Sequence, residues 1–283
     1  MKKITKLVAS LLSLTLLAGC SDAHVKLNDA NTGVFKVGNK TVTKGEMFRI
    51  LNANSAYVVT NDAISKICDI EVPVTDEMQA NVDEMIESIK SSGEGILDYY
   101  TQAYGSLEQY TKQLLRNQQL TALYEKYVTE NIERLISEQS PAYATILTFT
   151  SEEDANAALS GLNDGSLTVQ DVLQQYATSS SGQPEILTLN TTTYPAEALT
   201  LARSNKKDDG WAKVNTAAGD QFCLVRVEED DPNTYKDALI TNLARNQSIQ
   251  SEASASYMKK HNFKVYDKDV LDAIKESYPE YLN

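Results

Sequence analysis

The sequence predicts an α+β protein in which the N- and C-terminal segments form one mostly helical body, with a small α+β domain inserted between them. Apolar residues recur at three- and four-residue steps from Ser106 to about Glu138, which predicts a long helix. The apolar period changes from helical to two after Pro141, and the helical period returns after Pro232. Because helical stretches flank the region of mixed period, we expect them to pack together as one body.

Residues 1–19 have the features of an export signal. Lysines precede an apolar run, Leu7–Leu17, that is too short to span a bilayer. The run ends in Leu17-Ala18-Gly19-Cys20, which resembles a bacterial lipobox. That resemblance implies lipid attachment to the Cys20 sulfur, cleavage before Cys20, and a cell-membrane location facing outside the cytoplasm. The alternative is an ordinary secretory signal that happens to end near a cysteine. Residues 20–33 are then a short, mostly polar tether.

Residues 34–140 are predicted to form the N-terminal part of the helical body. Val34–Val42 alternates around Gly38-Asn39, which predicts a small hairpin. Capping signals at Thr43, Asn61-Asp62 and Thr75 then open successive helices. A further short helix ends at Gly105.

The long helix is predicted to begin with a capping box of Ser106 and Gln109. Its stripe extends over roughly 50 Å at about 1.5 Å per residue. A helix of this length needs neighbours along its apolar side, because packing rather than propensity stabilises it.

Residues 141–231 are predicted to form the inserted domain, with its elements in the order β-α-α-β-α-β-β. The predicted strands are Ala142–Phe149, Glu185–Asn190, Trp211–Val214 and Gln221–Val227. The predicted helices begin near Ser151 and end at Gly161, begin at Thr168, and extend from Pro195 to about Ser204.

Residues 232–283 are predicted to return to the helical body. The helical period from Thr234 leads to Lys259, Lys260 and His261, which suit the negative end of a helix dipole. Phe263–Tyr266 is predicted to be a strand beside the N-terminal hairpin, and Asp267 to cap a last short helix.

Composition excludes several classes of function. The chain has 39 acidic and 26 basic residues and a formal net charge of −13, which disfavours nucleic-acid binding because a basic face must neutralise phosphates. Cys68 lies in a helical pattern and Cys223 in a strand pattern, and the two patterns belong to different predicted domains. This placement favours two buried thiols over a disulfide. The sequence contains no P-loop, Rossmann or HExxH motif and no metal-ligand spacing, so we expect neither a cofactor nor a metal.

The chain resembles the PrsA/SurA family of extracytoplasmic foldases. The resemblance rests on V-G-N-K-T-V-T-K-G-E-M-F at 37–48, on V-T-D-E-M at 74–78, and on Y-G-S-L-E-Q-Y and L-L-R-N-Q within 104–118. It implies a SurA-N-like helical chaperone body with an inserted parvulin-type prolyl isomerase domain. It also implies that the partners are unfolded or partly folded exported polypeptides. A second copy of this chain is a further candidate partner.

The inserted domain departs from the parvulin pattern at the positions that carry catalysis. Thr145, Ser179 and Cys223 stand where the family has histidine, aspartate or cysteine, and histidine. The sequence has no histidine between His24 and His261, and hydroxyl groups cannot reproduce a titratable imidazole network. The resemblance therefore implies a chaperone whose parvulin-like domain has lost catalysis.

Two other functions stay open at this point. One is an active prolyl isomerase with an altered site, for which a proline-sized pocket of Tyr143, Thr145, Ser179 and Cys223 would be the sign. The other is an envelope assembly or adhesion lipoprotein that uses the same scaffold.

Aromatic, histidine and acidic residues complete the set of candidate functional residues. The candidates for peptide binding are Tyr143, Phe149, Tyr176 and Tyr194. We expect clients to bind in a groove between the helical body and the inserted domain. His24 and His261 are expected to be solvated, and Asp208-Asp209 and Glu228–Asp231 to be a solvated turn and linker rather than a cation site.

Overall fold

The computed structural model describes residues 25–176 and 180–282 and divides the chain into two compact units. The first unit combines residues up to Tyr124 with residues from Gln247 onward, and the second is Glu125–Asn246. The second unit therefore contains the predicted domain 141–231 together with helical residues on either side of it. The α+β class, with a discontinuous helical body around an inserted sheet domain, is confirmed. The predicted export signal and Cys20 lie outside the described residues.

The first unit opens with the predicted hairpin. Strands β1 (Gly33–Val37) and β2 (Lys40–Thr43) pair antiparallel. The Thr43 hydroxyl accepts the Glu46 N–H at 3.3 Å, and the Glu46 carboxylate accepts the Thr43 N–H at 2.8 Å. This reciprocal pair confirms the predicted capping box and begins helix α1 (Lys44–Ala53).

Helices α2 (Ala56–Glu71), α3 (Asp76–Ser91) and α4 (Glu94–Tyr104) follow. Thr75 caps α3 and a left-handed Gly105 ends α4, as predicted. The predicted cap at Asn61-Asp62 is wrong, because α2 begins at Ala56 and passes through both residues. The buried stripe of α2 already includes Ala56 and Thr60, so Asn61 and Asp62 occupy its solvent side.

The predicted single helix from Ser106 to Glu138 is wrong at Asn131. Helix α5 (Leu107–Glu130) ends there, and α6 (Ile132–Gln139) begins on its other side. The Asn131 side-chain amide donates to the Tyr127 carbonyl at 2.8 Å and so competes with the regular helical hydrogen bonds. At the start of α5, the Ser106 hydroxyl accepts the Gln109 N–H at 3.2 Å, which is one of the two hydrogen bonds of the predicted capping box.

The C-terminal segment contains α10 (Lys236–Ala244), α11 (Gln247–Lys260) and α12 (Lys268–Ser277). The predicted strand Phe263–Tyr266 is wrong, since this stretch has no regular structure. Phe263 and Val265 instead pack against a buried cluster of Ala56, Val270 and Ile274, which joins α12 to α2 within the first unit. Apolar side chains thus explain the alternating pattern without any strand pairing.

The second unit contains a four-stranded antiparallel sheet with strand order β4-β3-β6-β5. Its strands are β3 (Ala142–Phe149), β4 (Glu185–Leu187), β5 (Ala212–Asn215) and β6 (Phe222–Glu229). Its other helices are α7 (Glu152–Asp164), α8 (Val169–Gln175) and α9 (Ala196–Ser204). The predicted order β-α-α-β-α-β-β is confirmed.

Each face of this sheet has its own core. Ala144, Ile146, Cys223 and Val225 pack beneath α9, whereas the alternate residues of β3 and β6 pack beneath α7 and α8. All buried members of both cores lie between residues 142 and 225.

Gly161 does not end α7 as predicted. The helix continues to Asp164 and ends at Gly165, whose φ of 76° is left-handed. Gly161 lies inside the helix because Leu167 packs over it, and a Cβ there would lie 2.5 Å from the Leu167 Cδ1 atom.

Candidate functional site

Thr145, at the position of the first parvulin histidine, is a buried residue of β3. Its hydroxyl donates to the Glu228 carboxylate at 2.5 Å, and the Arg226 guanidinium bonds the same carboxylate at 2.8 and 3.0 Å. Arg226 also lies 4.9 Å from the centre of the Trp211 ring. The Thr145 hydroxyl is therefore hydrogen-bonded to Glu228, which is in turn bonded to Arg226, on the α7 and α8 side of the sheet.

Cys223, at the position of the second histidine, points to the opposite side. It is fully buried with Ala144 and Ile146 beneath α9. Burial raises the pKa of the Cys223 thiol to about 11, which keeps it protonated at neutral pH. Because side chains alternate along a strand, Thr145 and Cys223 are on different faces and do not form one site.

Ser179, the third position, lies outside the described residues. Its described neighbour Ser180 accepts the Thr148 N–H at 2.8 Å, on the same sheet face as Cys223. The structure therefore does not bring Tyr143, Thr145 and Cys223 together in a proline-sized pocket.

A surface pocket of about 400 Å³ lies in the second unit at the N-terminus of α9. Its lining is mainly hydroxyl groups, with the carboxylate of Glu185 and the ring of Tyr194. The Tyr194 hydroxyl donates to Glu185 at 2.8 Å. Burial, together with this hydrogen bond, raises the pKa of Tyr194 to about 12. The pocket can bind a polar group, but a phenol with this pKa is a poor acid–base catalyst near neutrality.

The predicted peptide-binding aromatics do not form one surface. Phe149 is 2% exposed and belongs to the core beneath α7 and α8, where it forms a T-shaped pair with Tyr176, with 6.4 Å between the ring centres. Tyr143 lies 5.3 Å from the Tyr235 ring. Of the four, Tyr194 alone lines the pocket described above. Their roles in binding stay a prediction.

Exposed apolar side chains concentrate in the first unit. Among the described residues, every large apolar side chain that is strongly exposed belongs to this unit, except Leu189. Where exposed apolar side chains form one contiguous patch, that patch usually binds a partner.

Helix α4 carries two of the exposed aromatic side chains, Tyr99 and Tyr104. Tyr100 stacks on Tyr110 at 5.0 Å, while Tyr99 and Tyr104 pack against these rings at 5.5 and 5.2 Å. Tyr99 is nevertheless 69% exposed. Sequence reasoning did not single out these residues, although three tyrosines within six residues before Gly105 were a usable signal.

The first unit also contains a pocket of about 310 Å³. Four tyrosines line it: Tyr57, Tyr124, Tyr278 and Tyr281. The Tyr278 and Tyr281 rings stack at 5.3 Å with an angle of 8° between them. The other lining side chains are amides, hydroxyls and aliphatic groups, so the pocket is aromatic and uncharged.

His261 is not merely solvated, which corrects the prediction for that residue. Its Nε2 atom lies 2.8 Å from a carboxylate oxygen of Glu71, which also accepts Lys260 at 2.5 Å. This cluster joins the C-terminal ends of α2 and α11 within the first unit. His24 lies outside the described residues.

The acidic runs of the second unit have basic or capping partners. Glu229 pairs with Lys207 at 2.6 Å, and Asp231 caps the turn at 232–235. Asp209 accepts the Lys206 N–H at 2.7 Å. In the part of the chain that the structure describes, no group of three His, Cys, Asp or Glu residues could hold a metal ion.

None of the helices within 25–176 and 180–282 combines the length and apolarity needed to cross a bilayer.

The known proteins that are similar to this chain include PrsA foldases, both among curated sequences and among solved structures. No family model matches the sequence. The foldase protein PrsA of Clostridium perfringens, in each of two strains, is 24% identical over 216 residues. The match covers 67% of this chain and 61% of the relative, so the chain spans about three fifths of the length of these relatives. The predicted resemblance to PrsA foldases is confirmed by these relatives.

Solved structures with similarity to this chain include two PrsA proteins. PrsA from Streptococcus pneumoniae is 16% identical with a TM-score of 0.46, over 89% of this chain and 100% of that one. PrsA from Bacillus cereus is 17% identical with a TM-score of 0.45, over 87% and 98% of the two chains.

Proposed function

We propose that this PrsA-like chain is an extracytoplasmic chaperone that binds unfolded exported polypeptides and is held on the membrane by a lipid on Cys20. We further propose that its sheet domain does not catalyse prolyl isomerisation. The observation that carries the chaperone role is the concentration of exposed apolar side chains in the first unit.

An unfolded chain offers apolar and aromatic side chains in no fixed order. A surface that binds it needs exposed apolar groups rather than a precise set of polar contacts. Ile96 and Tyr99 lie one helical turn apart on α4 and provide such groups. Tyrosine contributes a large contact area with little loss of conformational entropy, which suits a site for many clients.

The absence of catalysis is proposed from the chemistry at the parvulin positions. Rotation about a peptide bond must cross a barrier of ~18–20 kcal/mol, so a catalyst needs groups that polarise or desolvate the amide. Here the Thr145 hydroxyl is bonded to Glu228, and the Cys223 thiol is buried on the other face. No histidine lies in the sheet domain.

The two parts of the proposal are tested by parallel assays on the mature chain. We expect negligible isomerase activity on proline tetrapeptides and measurable suppression of aggregation of an unfolded client. Deletion of residues 141–231 should leave the suppression at least partly intact. Neither result should change with chelators.

A matched pair of surface variants tests the apolar surface itself. The double variant Ile96→Ser, Tyr99→Ser should weaken suppression several-fold, because both side chains are exposed and on one side of α4. The control Leu189→Ser removes an apolar side chain from the second unit whose exposure, 56%, lies between those of Ile96 (43%) and Tyr99 (69%), and it should have little effect. Equal activity of both variants would count against the proposed surface.

An active isomerase is the second candidate, and the pocket beside Tyr194 is the observation that favours it. A robust isomerase rate that is lost in Tyr194→Ala would place catalysis in this pocket. A rate lost in Thr145→Ala would instead restore the site that the resemblance implies. Either result would overturn the proposal of a non-catalytic domain.

A further inference from the structure

The N-terminal part of the first unit differs in charge from the rest of the chain. Residues 25–54 contain five basic side chains and two acidic ones, a net charge of +3 in a chain of −13. Four of the basic residues, Lys26, Lys36, Lys40 and Lys44, are exposed and form no ion pair with any described residue. The segment is therefore a basic region on an acidic protein.

Exposed apolar side chains occupy the same segment. On β1, Val34 is 51% exposed, Phe35 47% and Val37 71%. Val37 pairs directly with Lys40 across the hairpin, so an apolar and a basic side chain are neighbours. Ile50 and Leu51 of α1 are also exposed. We call β1, β2 and α1 together the hairpin surface.

The buried carboxylate of Asp267 holds α1 beside Val25, the residue at which the described chain begins. Asp267 is 7% exposed and accepts the Val25 N–H at 2.7 Å. It also accepts the Asn52 side chain of α1 at 3.4 Å. Cys20 precedes Val25 by five residues, which an extended chain spans in at most about 18 Å. A lipid on Cys20 would therefore keep the hairpin surface close to the bilayer.

We propose that the hairpin surface binds the surface of an anionic phospholipid bilayer. Lys40 meets the lipid phosphates, and Phe35 and Val37, which lie on the same face of the hairpin, enter the headgroup region. Lys36, on the opposite face, adds to the attraction at longer range. Basic residues near an anionic membrane and partly buried apolar side chains are the two contributions that hold proteins at such an interface. The occupant is a membrane rather than an unfolded client because the charge is basic and the tether ends here. The proposal uses the proposed lipidation for its position, but the binding itself does not need the lipid.

The test uses the mature chain from Ser21, made without leader or lipid, and co-sedimentation with vesicles. One set of vesicles contains equal parts of phosphatidylglycerol and phosphatidylcholine, and the other only phosphatidylcholine. We expect binding to the anionic vesicles that weakens in high salt. Lys36→Gln with Lys40→Gln should weaken it by about fivefold per lysine. Val37→Ser should weaken it without changing the salt dependence.

The control variant carries Lys66→Gln and Lys112→Gln, which remove the same charge from exposed positions on α2 and α5. It should bind as the parent chain does. Absence of binding to anionic vesicles, or equal losses in the two lysine variants, would overturn the proposal. If the hairpin variants bound vesicles normally but no longer suppressed aggregation, the hairpin surface would instead be a binding surface for clients. Since the lipid is absent throughout, failure here leaves the proposed lipid anchor and chaperone role untouched.

Discussion

At the scale of single residues, burial determines the chemistry of the two described cysteines. Cys68 and Cys223 are free, fully buried and in different units. Burial raises the pKa of both thiols, and the thiolate is the form that reacts. We expect the folded mature chain without Cys20 to react with a thiol reagent at pH 8 at least ~100-fold more slowly than the unfolded chain. Rapid labelling of Cys223 under native conditions would contradict this burial.

The raised pKa of Cys223 also predicts a dependence of stability on pH. Because its pKa is raised from 9.0 to about 11 on folding, its contribution is fully present below pH 9 and lost as the pH rises to about 11. Chemical denaturation should show a smaller alkaline loss for Cys223→Ala than for the parent chain over this window. An identical loss in both would mean that the buried tyrosines account for it.

Glu71 is a buried carboxylate that links α2 to the end of α11. Its side chain is 7% exposed and bonds both Lys260 and His261. Glu71→Gln should lower the free energy of unfolding by about 1–2 kcal/mol, because a charge-assisted pair joining α2 and α11 is lost. The expected loss of stability is modest because the Lys260 side chain remains in contact with water.

The matched control is Glu108→Gln, which breaks an exposed pair with Lys112. Exposed pairs of this spacing contribute about 0.3–0.5 kcal/mol. Equal effects of the two substitutions in urea unfolding would mean that the Glu71 cluster is only another surface pair.

At the scale of elements, the buried stripe of α5 contributes Tyr110, Leu114 and Leu123 to the first unit. Leu123 is fully buried. Leu123→Ala should cost about 2–5 kcal/mol, since a cavity is left where the stripe packs. Differential scanning calorimetry should show a lower transition for the first unit, while the fragment 141–231, which contains both sheet cores, keeps its own fold.

The control for this substitution is Leu107→Ala, at an exposed position at the start of the same helix. It should cost less than ~1 kcal/mol, as surface changes usually do. An unchanged melting curve for Leu123→Ala would mean that the stripe is not a packing surface.

Caps and apolar period predicted most elements, because both act over a few residues. Thr43, Thr75, Thr168 and Asp267 all cap the helices expected of them. The incorrect predictions come from side-chain interactions that the apolar period of the sequence does not reveal. Asn131 interrupts a continuous stripe with its own amide, and Gly161 is required by Leu167 rather than by a helix end. Phe263–Tyr266 alternates because it packs, not because it pairs.

The candidate site was less predictable than the fold. Thr145 and Cys223 were assigned by alignment, and a shift of one residue in a strand moves a side chain to the other face of the sheet. The tyrosines of α4 were missed because no local rule distinguishes a half-exposed tyrosine from a core one. Their exposure depends on what α3 and α5 leave uncovered.

At the scale of the whole molecule, the lipid on Cys20 is the proposed link to the membrane. Cys20→Ala should yield a chain that is soluble and exported, or one that stays unprocessed. Fractionation after a high-salt wash measures this, since the wash also removes charge-dependent contacts. Recovery of the processed variant in the washed membrane pellet would contradict a role for the lipid.

The discontinuity of the first unit has a consequence in time. Asp267, which fixes the Val25 amide, lies 242 residues after it in the chain. An exported chain leaves the membrane N-terminus first, so Val25 emerges 242 residues ahead of Asp267. The second unit is continuous and can complete its sheet during this interval, whereas α1 and α2 wait for α11 and α12. The unit that begins the chain is therefore the one that closes last, and a newly made copy passes through the unfolded state that we propose its folded copies protect.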